Sequence, residues 1–459
     1  METDDTLPSI LQLFFNDLAA ARLLFLGAQN YRKMSRRIMA EDPDWILDFV
    51  PSLSNLSLQC IVNNFEERPI FEALKPTQRV FIQERLSPSL PLHVTANLVP
   101  DGVYWNRCCK QKYTCCDVSD YGYSWKRMFF ERHLENIIEH FIPNVTEPKT
   151  VLQMAPLCKD YVKRLVISQL LPPIKEAQKK EEEEEEEYEY VIGNERGAPC
   201  LDHFDFRILL DKLTNLEELH LVYRVKHCAM NFEWSMFKMT DQDCVSLATA
   251  LKSCKTLKIF RLHLSQIEDK QCRLLVKYLL DHPSLRELDF SHNLIGDRGA
   301  RAIGKLLTMS KLETLKMYNN QISGPGARAI AHALSKNPAL LSLNLCLNHL
   351  MDEGGEAIGK ALLSNDTLLH LDLEGTGLTW LSAAALSKVL AQNNTMKTIN
   401  LSNNKLGELG GKALEEAMSH NTSVTECSIY LTGVDERSVS LIDKVLLANN
   451  TSELKIKRK

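Results

Sequence analysis

The sequence predicts an α/β solenoid, one strand and one helix per turn, preceded by a small mainly helical domain. Three observations predict it. An L-x-x-L-x-L-x-x-N-x-L frame recurs through the back half. Its copies are almost evenly spaced. The front half has no such repeat but shows apolar residues at helical spacing.

The frame begins at Leu257 (LKIFRLHLSQI), Leu285 (LRELDFSHNLI), Leu312 (LETLKMYNNQI), Leu340 (LLSLNLCLNHL), Leu368 (LLHLDLEGTGL), Met396 (MKTINLSNNKL) and Val424 (VTECSIYLTGV). Successive starts differ by 28, 27, 28, 28, 28 and 28 residues. The x-L-x-L-x core reads as a short strand of period 2, with Leu288 and Phe290 facing inward and Glu287, Asp289 and Ser291 outward. Asn293, Asn320, Asn348 and Asn404 stand where the chain leaves the strand, and an amide there can both donate and accept inside the turn. Thr376 and Thr432 replace it in two repeats, and a hydroxyl offers fewer bonds, so looser turns are expected there. After each turn, segments such as GDRGARAIGKLL carry apolar and small residues at helical spacing. This is the leucine-rich-repeat pattern in its 28-residue, ribonuclease-inhibitor-like form. It implies a horseshoe over residues 200–450, with a parallel sheet inside the curve and helices outside.

An irregular first repeat lies at Leu216, 41 residues before Leu257. The excess holds HCAMNFEWSMF, residues 227–237, read either as an inserted contact loop presenting Phe232, Trp234 and Phe237 or as an end cap. The last residues, 451–459, form a basic tail.

Residues 31–174 read as a mainly helical domain that docks on or caps the N-terminal edge of the solenoid. In SWKRMFFERHLENIIEHFIP, Trp125, Met128, Phe129, Leu134, Ile137, Ile138 and Phe141 make a core stripe. Arg127, Glu131, Arg132 and Glu135 read as helix-surface ion pairs of minor weight. Residues 1–30 include an apolar stretch from Leu7 to Leu26, interrupted by Asp17 and Arg22 and preceded by acidic residues. That suits an amphipathic helix better than a signal sequence or a membrane span. Between the halves, residues 175–199 include seven consecutive glutamates, which repel one another and are expected to form a disordered linker.

Composition narrows the function classes. With 459 residues, 25% charged residues and a net charge of −5, the chain lacks the basic excess of a nucleic-acid binder. Its 13 scattered cysteines suit a reducing compartment. Two G-x-x-x-x-G-K stretches, at 299–305 and 354–360, lack the Ser or Thr that would hold magnesium and fall on repeat helices, so no nucleotide site is expected. Cys108, Cys109, Cys115 and Cys116 are too closely paired for a tetrahedral zinc site, and His133 and His140 have no evident partner ligands. No catalytic, cofactor or metal residues are assigned, and no membrane, nucleic-acid or small-molecule partner is expected. The candidate site is instead the concave ladder of Glu287, Asp289, Lys316, Tyr318, Asn344, His370, Asp372, Glu374, Asn400 and Tyr430, whose mixed charges and aromatics suit protein binding.

Several segments outside the bare repeat carry a resemblance: RRIMAEDPDW (36–45), LPLHVTANLV (90–99), WKRMFFERHLENIIEHFIP (125–143), MNFEWSMF (230–237) and LIGDRGARAI (294–303). They resemble the fifth-subunit family of the nexin–dynein regulatory complex, from about residue 32 to 448. The resemblance implies a non-catalytic scaffold in the axoneme of motile cilia and sperm flagella. Its partners would be the other subunits of that complex and the doublet microtubule assembly. An alternative reading is a cytosolic regulator of a small GTPase, with Arg261 or Arg286 at the rim assisting hydrolysis. A ligase substrate receptor would need an F-box-like segment, and none is recognised in the front half.

Overall fold

The computed structural model describes residues 52–173, 203–226, 228, 234–336 and 339–457. The amphipathic segment expected at 1–30 and the acidic linker expected at 175–199 lie outside them. The chain divides into two compact units, Met1–Asn64 and Phe65–Lys459. In the first, helix α1 (Leu53–Asn63) is started by Ser52, whose hydroxyl accepts the Asn55 N–H.

The second unit opens with helices α2 (Pro76–Arg85), α3 (Leu92–Leu98), α4 (Val103–Lys112), α5 (Trp125–Glu139) and α6 (Lys149–Cys158). Their core is aromatic. Trp105 is fully buried, donates from Nε1 to the Val99 carbonyl at 3.1 Å, and has Phe129 and Phe130 each 5.1 Å away. From the stripe read in the sequence, Met128, Phe129, Leu134, Ile138 and Phe141 are buried, whereas Trp125 and Ile137 are half-buried.

Nine strands then form a single parallel sheet in chain order. They are β1 (Arg164–Ile167), β2 (Glu218–Val222), β3 (Ile259–His263), β4 (Glu287–Asp289), β5 (Thr314–Lys316), β6 (Ser342–Asn344), β7 (His370–Asp372), β8 (Thr398–Asn400) and β9 (Glu426–Ser428). Helices α7 (Asp241–Ser253), α8 (Asp269–Leu279), α9 (Asp297–Met309), α10 (Gly324–Leu334), α11 (Met351–Leu362), α12 (Trp380–Gln392), α13 (Gly407–His420) and α14 (Glu436–Lys457) follow the strands from β2 onward. The result is a leucine-rich-repeat solenoid. Inward positions pack as read: Leu288, Phe290, Leu315, Leu343, Leu371 and Ile399 are all buried. Ser291, read as outward, is also fully buried, because the chain is already entering the turn there. Among the described residues no helix is long and apolar enough to cross a membrane.

The sheet starts earlier than the repeats do, at β1, in the region read as helical. β1 pairs with β2 on one side. On its other side lies α5, and three glutamates one helical turn apart accept the strand's outward N–H groups. Glu131 Oε1 takes Lys163 and Arg164 at 2.8 and 2.9 Å, Glu135 Oε1 takes Val166 at 2.7 Å, and Glu139 Oε1 takes Ser168 at 2.7 Å. The spacing matches because four helical residues rise about 6.0 Å and two strand residues about 6.6 Å. Glu131 and Glu135 are therefore not surface ion-pair partners of minor weight. Glu131 is fully buried, and Arg127 neutralises it at 2.7 Å. Arg132 instead lies over the Tyr113 ring and donates to the Cys115 carbonyl.

The two G-x-x-x-x-G-K stretches lie on α9 and α11, and their second glycines let helices pack closely. A Cβ on Gly304 would meet the Ala329 carbonyl oxygen at 2.8 Å, and one on Gly359 would meet Ala385 at 3.2 Å.

Candidate functional site

The period-2 alternation that buries the leucines turns the intervening side chains to the opposite face of the sheet. Strand register then aligns them in rows. Arg261, Asp289, Lys316, Asn344, Asp372, Asn400 and Ser428 are Cα partners across β3 to β9. A second row holds Glu287 and His370, in register through Thr314 and Ser342. Tyr318, Glu374 and Tyr430 stand two residues beyond their partners in the first row. The structure thus brings all ten candidate residues onto one face.

They are not equivalent there. Glu287 is clamped between Arg261 Nη2 at 2.9 Å and Lys316 Nζ at 3.0 Å. Asp289 is only 3% exposed, accepts the Ser291 N–H at 3.0 Å and has His263 Nε2 3.0 Å away. Its carboxylate offers almost no surface. Burial opposes its ionisation, and the contacts with His263 and Ser291 outweigh that and hold it below the usual carboxylate range. Tyr318 packs edge-on to His292, with ring centres 4.6 Å apart, and Tyr430 is 76% exposed.

The charge balance changes along the face. Asn344 donates to Asp372 Oδ2 at 3.0 Å, and Asp372 Oδ1 accepts the Glu374 N–H at 3.1 Å. Glu374 in turn accepts from Asn400 at 3.0 Å and from Asn403 at 2.5 Å. Amides, not cations, hold these carboxylates, and burial together with Glu374 pushes the Asp372 carboxyl above its ordinary range. His370 Nδ1 lies 3.0 Å from the Thr398 hydroxyl. A shallow depression of about 280 Å³ runs over this part of the face, from Lys316 to Ser428.

Two residues of the face, His220 and His263, are absent from the sequence reading, and Arg261 enters it only as a rim residue. Their signal was present, since they fill outward frame positions of LEELHLVYRV and LKIFRLHLSQI. Burial and the neighbouring Arg261 and Arg164 press the His220 imidazole down to about 3. Of the insert residues, Phe232 lies outside the described residues. Trp234 opens a short 3₁₀ turn (Trp234–Phe237), and Phe237 is half-buried at its end. Both rim arginines are engaged, Arg261 with Glu287 and Arg286 with Glu313 at 3.4 Å.

The cysteine cluster is divided by burial. Cys108 and Cys109 are buried in α4, Cys115 is exposed and Cys116 intermediate. Burial pushes the Cys108 and Cys109 thiols up to about 11 and about 12. His133 is held down to about 4 by burial and by Lys112 beside it, and His140 Nδ1 lies 2.8 Å from the Asn136 carbonyl.

A leucine-rich-repeat family model matches residues 281–304, 308–331, 336–359 and 392–414. The chain is 48% identical over 315 residues to dynein regulatory complex subunit 5 of Macaca fascicularis, covering 68% of this chain and 62% of that protein. It is 49% identical over 278 residues to the Homo sapiens protein of that name, covering 60% of this chain and 55% of that one. The Chlamydomonas reinhardtii protein of that name is 30% identical over 228 residues, covering 50% of this chain and 51% of that one. The chain thus spans between about half and three-fifths of the length of these curated relatives. A solved internalin from Listeria monocytogenes aligns at a TM-score of 0.32 with 18% identity over 51% of this chain and 67% of that one, too distant to carry an argument. The chain has the leucine-rich-repeat fold, and over 68% of its length it is similar to dynein regulatory complex subunit 5.

Proposed function

We propose that this protein is a non-catalytic scaffold subunit of a nexin–dynein regulatory complex, acting in the axoneme of motile cilia and sperm flagella. The assignment to the complex rests on the name its relatives share. The observation that carries the scaffold role is the in-register row Lys316, Asn344, Asp372 and Asn400 on an open sheet face, with exposed Tyr430 at its end. Rigid repeats hold these side chains at strand spacing, so a partner meets a preorganised polar surface and little conformational entropy is lost on binding. Other subunits of the complex are the partners of this face, and the doublet microtubule assembly is the structure they join.

Reversing charge in the full chain at Lys316→Glu, Asp372→Lys and Glu374→Lys tests this. Incorporation into axonemes lacking the endogenous protein should fall about tenfold, the equivalent of about 1.4 kcal/mol, while the thermal midpoint stays nearly unchanged. Unchanged incorporation defeats the proposal. An equal loss of stability would make these residues part of the fold and not of an interface. Cross-linking mass spectrometry on intact axonemes would identify the subunits that meet the face.

A further inference from the structure

The helical layer carries a feature that the sheet face does not use. On α8, Lys270, Arg273 and Lys277 stand at i, i+3 and i+7, which places them in one stripe along the helix. On α9, Arg298, Arg301 and Lys305 repeat the same spacing one 28-residue period later. All six are exposed. The two helices pack side by side, so the stripes lie about 8–10 Å apart and each is about 10 Å long. Lys270 pairs with Asp241. Among the described residues, no ion pair or hydrogen bond engages the side chains of the other five.

The stripes do not continue. At the matching positions α10 has Pro325, Arg328 and His332, and Arg328 is paired with Glu353. On α11 they are Glu353, Glu356 and Lys360, with the last two paired together. Among the described residues this double column, in which five of the six cations have no ion-pair or hydrogen-bond partner, occurs at one place, in a chain whose net charge is −5. Between the columns runs a groove of about 540 Å³, floored by Leu274, Val276, Leu280 and Ala302. A second depression of about 380 Å³ shares Lys277 with it and adds Lys252, Lys255, Tyr278 and Asp281.

We propose that the α8–α9 groove is a second protein-binding surface, and that its occupant is an acidic amphipathic segment of another polypeptide. Aspartates and glutamates of that segment would meet the two cation columns while its apolar side chains fill the floor. Charge complementarity selects the acidic partner. The apolar floor selects a polypeptide over a nucleic acid, because the groove has no aromatic side chain on which a base could stack. A concave groove between two helices also does not fit a flat anionic membrane. The proposal is independent of the sheet-face assignment, since it concerns the opposite layer of the solenoid.

The test uses the full chain and a fluorescein-labelled synthetic peptide of about twenty residues, with glutamates on one helical face and leucines on the other. Binding by anisotropy should weaken as salt is raised. The variant Arg273→Gln, Lys277→Gln, Arg301→Gln and Lys305→Gln should bind about tenfold more weakly, as expected for several exposed charge pairs lost together. The control Arg328→Gln with Lys360→Gln removes cations that already have partners and should stay within about twofold of the parent. Circular dichroism confirms that both variants fold, and the single variant Lys277→Gln, at the junction of the two depressions, serves if the quadruple variant does not. Leu274→Gln should also weaken the peptide. Equal losses in patch and control variants, or no binding by the parent chain, overturn the proposal. So does tighter binding to a single-stranded RNA oligonucleotide or to phosphatidylserine vesicles than to the peptide. Peptide binding that emerges only after Glu181 to Glu187 are replaced by glutamine would assign the groove to the chain's own acidic tract, and the proposal of a separate partner would fall.

Discussion

The side-chain amide at the ninth position of a repeat does the work of several backbone groups. Asn293 Oδ1 accepts from Ser265 and Ile267, and its Nδ2 donates to the carbonyls of Leu262, Phe290 and Ser291. Asn404 makes the same five bonds four strands further along. Thr376 and Thr432 stay buried but make one such bond each, to Leu373 and Ile429. The missing acceptor changes the backbone of the preceding repeat. There the N–H groups of Met351 and Gly407 turn to the Thr376 and Thr432 carbonyls, both at 3.0 Å, with φ of 52° and 64°. The corresponding residues before an asparagine turn, Gly296 and Ser323, have φ of −101° and −110°. Glycine tolerates the left-handed region and methionine does not. Met351→Gly is therefore expected to raise stability by up to about 1 kcal/mol, and Gly407→Ala to lower it by about 1 kcal/mol or more. Urea unfolding of the two variants checks both signs, and a destabilised Met351→Gly would show that the strain is already relieved by packing.

At the scale of an element, α5 acts as a substitute strand. An edge strand presents a row of unpaired N–H groups, and three carboxylates supply what a neighbouring backbone would. Gathering them carries a cost that depends on pH. Burial, reinforced by Glu131 and Glu139 and opposed by the Val166 N–H and Arg164, pushes the Glu135 carboxyl up to about 8. Its unfolded value is about 4.3. The folded state thus holds this proton more tightly, so the group's stabilising contribution is complete below about pH 4.3 and is lost as pH rises through about 8. Glu135→Gln keeps an oxygen for the Val166 N–H but cannot ionise. The variant should melt higher than the parent at pH 9 and close to it at pH 5, whereas Glu135→Ala should melt lower at both. Parallel melting curves at the two pH values for the glutamine variant would remove the carboxylate cost from the account.

For the molecule as a whole, each repeat contacts only its neighbours, and stability is shared along the stack. Leu343 is 1% exposed on the interior strand β6, between Leu315 and Leu371 in register. Leu343→Ala should cost about 2–5 kcal/mol through lost burial and the cavity left behind. The loss should appear as a lower denaturation midpoint of the solenoid, read by far-ultraviolet dichroism. A cost below about 1 kcal/mol would mean that neighbouring repeats close over the gap.

The repeat spacing by itself determined the strand positions, the buried leucines and the face that carries Lys316, Asn344, Asp372 and Asn400, because period and register follow from covalent geometry and from the need to bury one side of every strand. Which side chains of that face are available to a partner was decided only in three dimensions. Asp289 and Asp372 occupy the same frame position, yet one is sunk beside His263 and the other lies among amides without a cation. The strand β1 and the glutamate ladder of α5 were likewise invisible in the sequence, since neither carries the repeat frame and their partners are about 30 residues apart. Hydrogen bonding across such distances depends on where the folded chain places each group, and no local pattern of residues encodes that placement.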